Sequence, residues 1–264
     1  MLKLNGIYKT FNHNTVNEKR VINNLTLDLK KGDFVTVIGG NGAGKSTLLN
    51  LIAGVYPPDS GSISLDGEAI TFLPEYKRAK YLGRVFQDPM MGTAANMEIQ
   101  ENLALAYRRG KRRGLRWGIT NKEKQIYVDK LNNLGLGLES RMSTKVGLLS
   151  GGQRQALTLL MATLQQPKLL LLDEHTAALD PSTAERVLDL TQQIVAANNL
   201  TTLMVTHNMK QAIQYGNRLI MMYEGKIIFD VQGEEKSKLK VTDLLQKFEI
   251  VSQGSFANDR MLLS

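Results

Sequence analysis

The chain alternates between compact apolar segments and polar segments that are rich in turn-forming residues. Residues 34–38, 169–172 and 201–206 are apolar or β-branched runs without regular polar alternation. A strand that lacks alternation is buried on both faces, as in a parallel sheet covered by helices. The pattern therefore predicts an α/β protein whose core sheet is mainly parallel.

Two hairpin signals add antiparallel strands to this plan. Asp66-Gly67 and Glu224-Gly225 each separate two short apolar runs, and a two-residue turn of this kind joins adjacent antiparallel strands. Residues 2–29 show only short strand-like pieces interrupted by a polar turn. We therefore expect a small antiparallel β layer beside the core sheet.

A more polar, helical segment interrupts the strand pattern over residues 98–149, with its clearest amphipathic part at 122–134. This segment predicts a helical subdomain, about residues 90–165, inserted into the core. We expect one domain over residues 1–247, followed by a tail at 248–264.

The first candidate chemistry lies between the strand at 34–38 and an apolar helical segment. Residues 39–47, the phosphate loop, read GGNGAGKST and fit the pattern G-x-x-x-x-G-K-[ST]. Glycines let backbone N–H groups approach phosphate oxygens closely. A helix beginning at Lys45 points its positive end at the same phosphates. Lys45 is expected to reach the β/γ oxygens and Ser46 to bind magnesium.

A second corner suited to anions follows the helical segment. Residues 149–153, the signature segment, read LSGGQ and precede an apolar helical run. Ser150 is a good N-cap, and the glycines that follow it at a helix N-terminus favour an anion. Its occurrence in a chain that also has a phosphate loop strengthens the prediction.

Carboxylates and a histidine end two of the predicted buried strands. Asp173 and Glu174 follow residues 169–172, and His207 follows residues 201–206. Ligands bind at the carboxyl ends of strands in such sheets. We expect Asp173 to hold magnesium through water, Glu174 to orient or deprotonate an attacking water, and His207 to bond the γ-phosphate.

Two further residues are ambiguous on local evidence. Phe11 could stack on a nucleotide base or belong to the core, and its own surroundings favour the core. Gln87 follows a short apolar strand and precedes Pro89, so its local pattern favours a simple turn residue.

Composition narrows the functional classes. The chain has no cysteine, which excludes disulfides, thiol nucleophiles and thiolate metal sites. No apolar block typical of a signal peptide opens it, and no apolar run approaches the ~18 residues that span a bilayer. We expect a soluble chain unless a partner holds it at a membrane.

The formal charge of +8 is concentrated in residues 107–118, the basic arm. Its basic residues are Arg108, Arg109, Lys111, Arg112, Arg113 and Arg116. A charge run is most often a solvated face; the alternative is contact with phosphate-bearing lipid heads or nucleic acid.

Taken in order, the phosphate loop, Gln87, the signature segment, Asp173-Glu174 and His207 resemble the nucleotide-binding subunit of ABC transporters. The resemblance extends over about residues 2–247. It implies a P-loop NTPase fold of the ABC ATPase type that hydrolyses ATP with Mg²⁺. The candidate catalytic residues are Glu174, His207, Lys45 and Gln87. The candidate metal ligands are Ser46, Gln87 and Asp173. The candidate nucleotide-binding residues are Phe11, Gly39, Asn41, Gly42, Ala43, Gly44, Lys45, Ser46, Thr47, Ser150, Gly151, Gly152, Gln153 and Asp180.

The resemblance also implies partners. Phe11 takes the adenine-stacking position, which reverses the local preference for core, and Ser150 and Gly152 bind the ATP held by a second copy of the chain. An integral permease would receive the motion, and a solute-binding protein would act indirectly from outside. We expect the chain at the cytoplasmic face of the membrane.

Two residues depart from the family's usual pattern. His175 stands where proline is usual, and Ala178 stands where serine is common. Neither departure removes a phosphate, metal or water contact. Both lie in the loop that ends at Asp180.

Within the family, the resemblance is strongest to bacterial uptake subunits. The basic arm and residues 180–184, which read DPSTA, are similar to a subgroup associated with the uptake of amino acids, including aromatic ones. A soluble ABC ATPase acting on a ribosome or nucleic acid is the alternative, motivated by the basic arm. A small-molecule kinase would explain the phosphate loop but not the signature segment.

Overall fold

The computed structural model describes residues 1–111 and 118–252. They fall into two compact units, Met1–Arg78 with the part from Leu200 onward, and Ala79–Asn199. In chain order the elements are β1 (Leu2–Phe11), β2 (Lys19–Leu29), β3 (Phe34–Gly39), α1 (Lys45–Ala53), β4 (Ser60–Leu65), β5 (Glu68–Ala69), α2 (Glu75–Arg78), β6 (Leu82–Val85), α3 (Ile99–Tyr107), α4 (Asn121–Asn132), α5 (Gly151–Thr163), β7 (Leu169–Asp173), α6 (Pro181–Ala197), β8 (Thr201–Val205), α7 (Met209–Gln214), β9 (Arg218–Tyr223), β10 (Lys226–Gln232), α8 (Gly233–Ser237) and α9 (Val241–Ser252). Short 3₁₀ helices occur at Pro89–Gly92, Glu139–Arg141 and Val146–Leu148.

In the first unit, the predicted antiparallel layer is a sheet of order β2-β1-β4-β5. The expectation of short strand-like pieces before Leu29 was wrong, since β1 and β2 have 10 and 11 residues. Register shifts between Leu4 and Thr10 break the simple alternation of the pair, and a bulge moves side chains off the two-residue period. The irregular sequence pattern therefore came from bulges within long strands.

The second sheet of this unit places β3 between β8 and β9, and both neighbours run parallel to it. β9 continues into β10 as the predicted antiparallel hairpin. Because parallel strands end at one edge, the phosphate loop after β3 and His207 after β8 leave the same edge of this sheet.

The C-terminal helix α9 packs on this sheet through Leu244 and Phe248. Both belong to a buried cluster that also contains Ile38 of β3 and Met209 of α7. The apolar face of α9 therefore covers this sheet. The remainder of the predicted tail, from residue 253, lies outside the described residues.

The second unit contains the parallel pair β6 and β7 and a helical core. Ile99 of α3, Tyr127 and Leu131 of α4, and Leu157 of α5 share one buried cluster. Thr120 begins α4 with a capping box, in which its hydroxyl accepts from the Glu123 N–H. These packed helices account for the predicted helical segment, whereas the predicted domain limits stay a prediction.

Within residues 1–111 and 118–252, no helix combines the length and the apolar character needed to cross a membrane.

Candidate functional site

The phosphate loop has the backbone conformation that its glycines predict. Gly42 and Gly44 have φ angles of 78° and 98°, which side-chain-bearing residues rarely adopt. A Cβ on Gly39 would lie 2.4 Å from the Met222 carbonyl oxygen. The loop therefore needs glycine both for its curl and for its close packing against β9.

Lys45 begins α1 and turns back over the loop. Its side chain is largely buried, with 7% of the residue exposed. The ammonium donates to the carbonyl oxygens of Gly39 at 2.7 Å and Gly40 at 3.3 Å. These contacts hold a positive charge directly above the loop backbone, where it can transfer a hydrogen bond to an incoming phosphate oxygen.

The remaining loop positions divide into an outer and an inner set. Asn41, Gly42 and Ser46 are exposed, whereas Ala43 is buried and Thr47 is half-buried. The Ala43 carbonyl accepts from the Gly225 N–H at 3.1 Å, so the β9–β10 turn supports the inner side. The outer set faces solvent.

The structure places His207 directly between a strand end and a helix cap. It is exposed. The preceding Thr206 N–H donates to the Val37 carbonyl at 3.1 Å. The next residue, Asn208, caps α7 by accepting from the Gln211 N–H at 3.1 Å. Both neighbours are fixed, and the imidazole projects from a rigid backbone at the β3–β8 edge.

Phe11 is half-buried, which does not match the interpretation of a core residue. Its ring meets the Tyr56 ring edge-on with centroids 5.1 Å apart, and the Lys9 ammonium lies 5.6 Å from its centroid. A partly exposed aromatic ring beside a cation offers a surface on which a planar group can stack.

In the second unit, Asp173 ends β7 and faces Arg84 of the neighbouring β6, with Nη2 and Oδ2 3.8 Å apart. Glu174 follows with a φ of 45°, an uncommon conformation for a residue with a long side chain. Both acids are half-buried. Sequence reasoning missed Arg84, although the parallel pairing of β6 and β7 makes a neighbouring basic residue a natural counter-charge.

Gln87 is exposed, two residues beyond the end of β6. Asp88 caps the following 3₁₀ helix by accepting from the Met90 N–H at 2.8 Å. Pro89 is the first residue of that helix. Gln87 therefore lies in the turn between β6 and the capped 3₁₀ helix. This position fits a turn residue as well as a ligand-binding one.

The signature segment forms the predicted N-cap of α5. The Ser150 hydroxyl accepts from the Gln153 N–H at 3.3 Å, and the Gln153 side chain accepts from the Ser150 N–H at 3.2 Å. Gly151 and Gly152 form the first turn. The Ser150 side chain is exposed, so the start of α5 presents a hydroxyl and glycine N–H groups to solvent.

Asp180 caps α6 in the same way. Its carboxylate accepts from the Thr183 N–H at 3.0 Å and from the Ser182 hydroxyl at 2.8 Å. The hydrogen bonds from Thr183 and Ser182 lower the pKa of Asp180 to about 2. The side chain is therefore a fixed anion at neutral pH.

No group of three or more His, Asp or Glu side chains in the described part of the chain could hold a metal ion. The predicted magnesium ligands Ser46, Gln87 and Asp173 do not form such a group, and their role stays a prediction. Mg²⁺ is usually held by one or two protein oxygens together with substrate phosphates and water. The hydroxyl of Ser46 and the carboxylate of Asp173 are ligands of that type.

The basic arm is described only in part, since Arg112, Arg113 and Arg116 lie outside the described residues. Arg108 binds Glu123 with Nη2 and Oε2 2.9 Å apart. Arg109 is half-buried, its Nη2 donates to the Ala162 carbonyl at 3.4 Å, and burial lowers its pKa. These two charges serve internal contacts rather than a solvated face.

The chain is similar in sequence to ATP-binding proteins of ABC transporters. The family model described as "ABC transporter" matches residues 22–177. The "Tyrosine transport ATP-binding protein" of Clostridioides difficile is 47% identical over 94% of this chain and 99% of its own length. The "Thiamine import ATP-binding protein" of Salmonella choleraesuis is 35% identical over 80% of this chain and 85% of its own length.

Among solved structures, an ATP-binding cassette determined as a dimer in a post-hydrolysis state with ADP and Pi has a TM-score of 0.75. It is 28% identical and covers 88% of this chain and 98% of its own. The likeness confirms the predicted fold class, an α/β cassette with a mainly parallel core sheet, an antiparallel layer and a helical part.

Proposed function

Because the chain belongs to the ABC transporter family, we propose that it is the ATP-binding subunit of an uptake system for an amino acid, with tyrosine as the first candidate. As a member of this family the chain is an ATPase. The import of an amino acid is the proposed part, and it is supported by the nearly full-length likeness to a tyrosine transport ATP-binding protein.

The observation that carries the ATP-binding part of the proposal is the phosphate loop with Lys45 folded above it. The ammonium, 2.7 Å from the Gly39 oxygen, is placed to bond the β/γ-phosphates of ATP while the loop N–H groups and the start of α1 bind the others. Phe11 stacks on the adenine. Residues 39 and 41–47 enclose the triphosphate.

Mg²⁺ would be held by Ser46, Gln87 and Asp173, and it would supply positive charge to the phosphate oxygens. Glu174 orients or deprotonates the attacking water, and His207 donates to the γ-phosphate as charge develops. Because Thr206 and Asn208 on either side of His207 are held by hydrogen bonds, its imidazole can donate to the phosphate with little reorganisation.

Ser150, Gly151, Gly152 and Gln153 bind the ATP of a second copy of the chain, and Asp180 lies at the contact between the two copies. In support, the solved relative with ADP and Pi is a dimer, and the start of α5 presents exposed hydrogen-bonding groups. Binding two ATP molecules closes the pair, and hydrolysis opens it.

Gln87 and the helical segment pass that motion to an integral permease, which holds the chain at the cytoplasmic face of the membrane. A solute-binding protein acts indirectly, from outside.

The test of the ATPase assignment uses Glu174→Gln and Lys45→Ala in the full chain. Glu174→Gln keeps ATP binding, slows hydrolysis by roughly 10²- to 10⁴-fold and accumulates a dimer with ATP and Mg²⁺ in size-exclusion chromatography. Lys45→Ala loses ATP affinity in calorimetry. A Glu174→Gln variant that stays monomeric and hydrolyses normally would refute the assigned roles.

Cargo is tested in cells. Deleting the gene should reduce uptake of labelled tyrosine, and the wild-type copy, but not Glu174→Gln, should restore it. Unchanged tyrosine uptake with reduced uptake of another amino acid would move the proposal to that cargo. Unchanged uptake of all amino acids would reject the importer proposal.

The alternative of a soluble ATPase acting on nucleic acid rests on the basic arm. Arg108 is paired with Glu123, and Arg109 donates to the Ala162 carbonyl, so these two side chains are less available to such a partner. Nucleic-acid affinity that falls steeply with salt, together with no co-purifying permease, would favour this alternative.

A further inference from the structure

His175, which follows the candidate base Glu174, is buried with 2% of its surface exposed. Its Nε2 lies 3.1 Å from the Thr191 hydroxyl oxygen of α6. The Thr191 hydroxyl is itself fully buried and donates its only proton to the Val187 carbonyl at 2.7 Å. Thr191 must therefore accept from His175, which places a proton on Nε2 of the imidazole.

The loop between β7 and α6 is fastened at both ends. His175 ties its start to the third turn of α6, and Asp180 caps the first turn of the same helix. Between them the Ala177 N–H donates to the Glu174 carbonyl at 2.9 Å. The path of the loop is thus defined mainly by α6.

Glu174 needs such support because its φ of 45° is unfavourable for a residue with a side chain. A conformation of this kind persists only where the surroundings over-determine it. A proline after Glu174 would restrict the backbone through its ring. Here the next side chain is anchored to a helix instead.

We propose that His175 is a positioning residue, whose hydrogen bond to Thr191 fixes the backbone of Glu174 and so the direction of its carboxylate. The inference rests on the proposed role of Glu174 as the residue that orients water. Movement of α6 would then reach Glu174 through a single buried hydrogen bond.

Thr191→Val tests the bond, since it keeps the shape of the side chain and removes the acceptor. We expect kcat for ATP hydrolysis to fall roughly ten- to hundredfold, because small displacements of a reacting group carry large penalties. ATP affinity should stay within about twofold. Thr191→Ser restores the acceptor and should return kcat to near the wild-type value.

Thr163→Val is the matched control. Thr163 is also a buried helical threonine, and its hydroxyl donates to carbonyls of its own helix α5, those of Leu159 at 2.9 Å and Leu160 at 3.2 Å. The Thr163→Val variant should lose about as much stability as Thr191→Val and keep the wild-type kcat. Equal losses of kcat in Thr163→Val and Thr191→Val would overturn the proposal.

A double-mutant test keeps the proposal falsifiable if one single variant misfolds. In the background of His175→Phe, Thr191→Val should lower kcat no further, because the bond is already absent. Independent, multiplicative effects on kcat would contradict the proposal.

Glu174→Gln is measured in parallel. Normal hydrolysis by that variant refutes the role of Glu174 and this inference with it, whereas a slow Glu174→Gln beside a normal Thr191→Val refutes the inference alone.

Discussion

Gly152 lies so close to Thr183 that a Cβ built on the glycine would stand 2.3 Å from the threonine methyl. Thr183 belongs to the first turn of α6, where its N–H binds Asp180. A β-branched side chain at this point has little freedom to move. The second glycine of the signature segment is thus required by packing within the unit, independently of any nucleotide.

Gly152→Ala should therefore destabilise the chain by about 1–3 kcal/mol in urea unfolding, the usual cost of an overpacked contact. Thr183→Ser removes the obstructing methyl and keeps the N–H that binds Asp180. The double variant should recover most of the loss. Additive losses would show that the contact is not the source of the effect.

Arg78 is a buried cation that fastens the far end of α1. Its Nη1 donates to the Leu51 and Ile52 carbonyls, both at 2.8 Å. Nη2 donates to the Thr71 carbonyl at 2.8 Å. Burial lowers the pKa of Arg78 to about 10, so the charge persists at neutral pH and faces the negative end of the helix.

Arg78→Met should lower the free energy of unfolding by roughly 3 kcal/mol, because several carbonyls lose their donors at once. Arg78→Lys should lose less, since it keeps the charge with fewer donors. Arg20→Met, at an exposed position, controls for the chemical change and should stay within about 0.5 kcal/mol. Equal effects at positions 78 and 20 would contradict the role of the carbonyl contacts.

Features set by local turn chemistry could be predicted from the sequence. Asp66 and Gly67 both have positive φ, as do Glu224 and Gly225, and two successive positive φ angles are what a tight hairpin turn demands. The phosphate loop was predictable for the same reason. Its glycines, its strand and its helix all lie within a short stretch of chain.

Contacts between distant residues could not be predicted in this way. The His175–Thr191 bond spans 16 positions and the Arg78–Leu51 bond 27. Each depends on how helices and loops pack rather than on any local pattern. His175 was noticed only as a departure from a family's usual residue, while its partner carried no sequence signal. The roles assigned to the candidate site residues stay predictions until the variants are measured.

Arg108 illustrates how a charge run can hide a structural contact. Besides its ion pair with Glu123, it donates to the Gly118 carbonyl at 2.6 Å. Burial raises the pKa of Glu123, but hydrogen bonds from Thr120 and Arg108 outweigh that effect and leave the pKa below its ordinary value. Glu123 also completes the capping box of α4.

Arg108→Ala should therefore reduce stability by about 1 kcal/mol, whereas Lys122→Ala, at an exposed position of α4 beside Glu123, should have almost no effect. Thermal unfolding of both variants checks this. If the two melt alike, the Glu123 contact contributes nothing measurable. Tests of membrane association by the basic arm are cleaner when they neutralise Lys111, Arg112, Arg113 and Arg116 and leave Arg108 intact.

The buried imidazole of His175 gives the chain a defined response to acid. Burial lowers its pKa to about 4 from an ordinary value of 6.5. Between these two values the unfolded chain binds a proton that the native chain excludes, so stability falls as the pH falls through this window. Above pH 6.5 neither state is protonated at this residue, and below pH 4 both are.

His175→Asn removes this titration. Its free energy of unfolding should therefore fall less than that of the wild type between pH 7 and pH 4, with a difference on the order of 3 kcal/mol. Urea unfolding at intervals across this range provides the measurement. His13 and His207 are present in both proteins, so the comparison isolates the change at position 175. Parallel curves would mean that the imidazole takes up its proton in the native chain as readily as in the unfolded one, which would contradict the burial of His175.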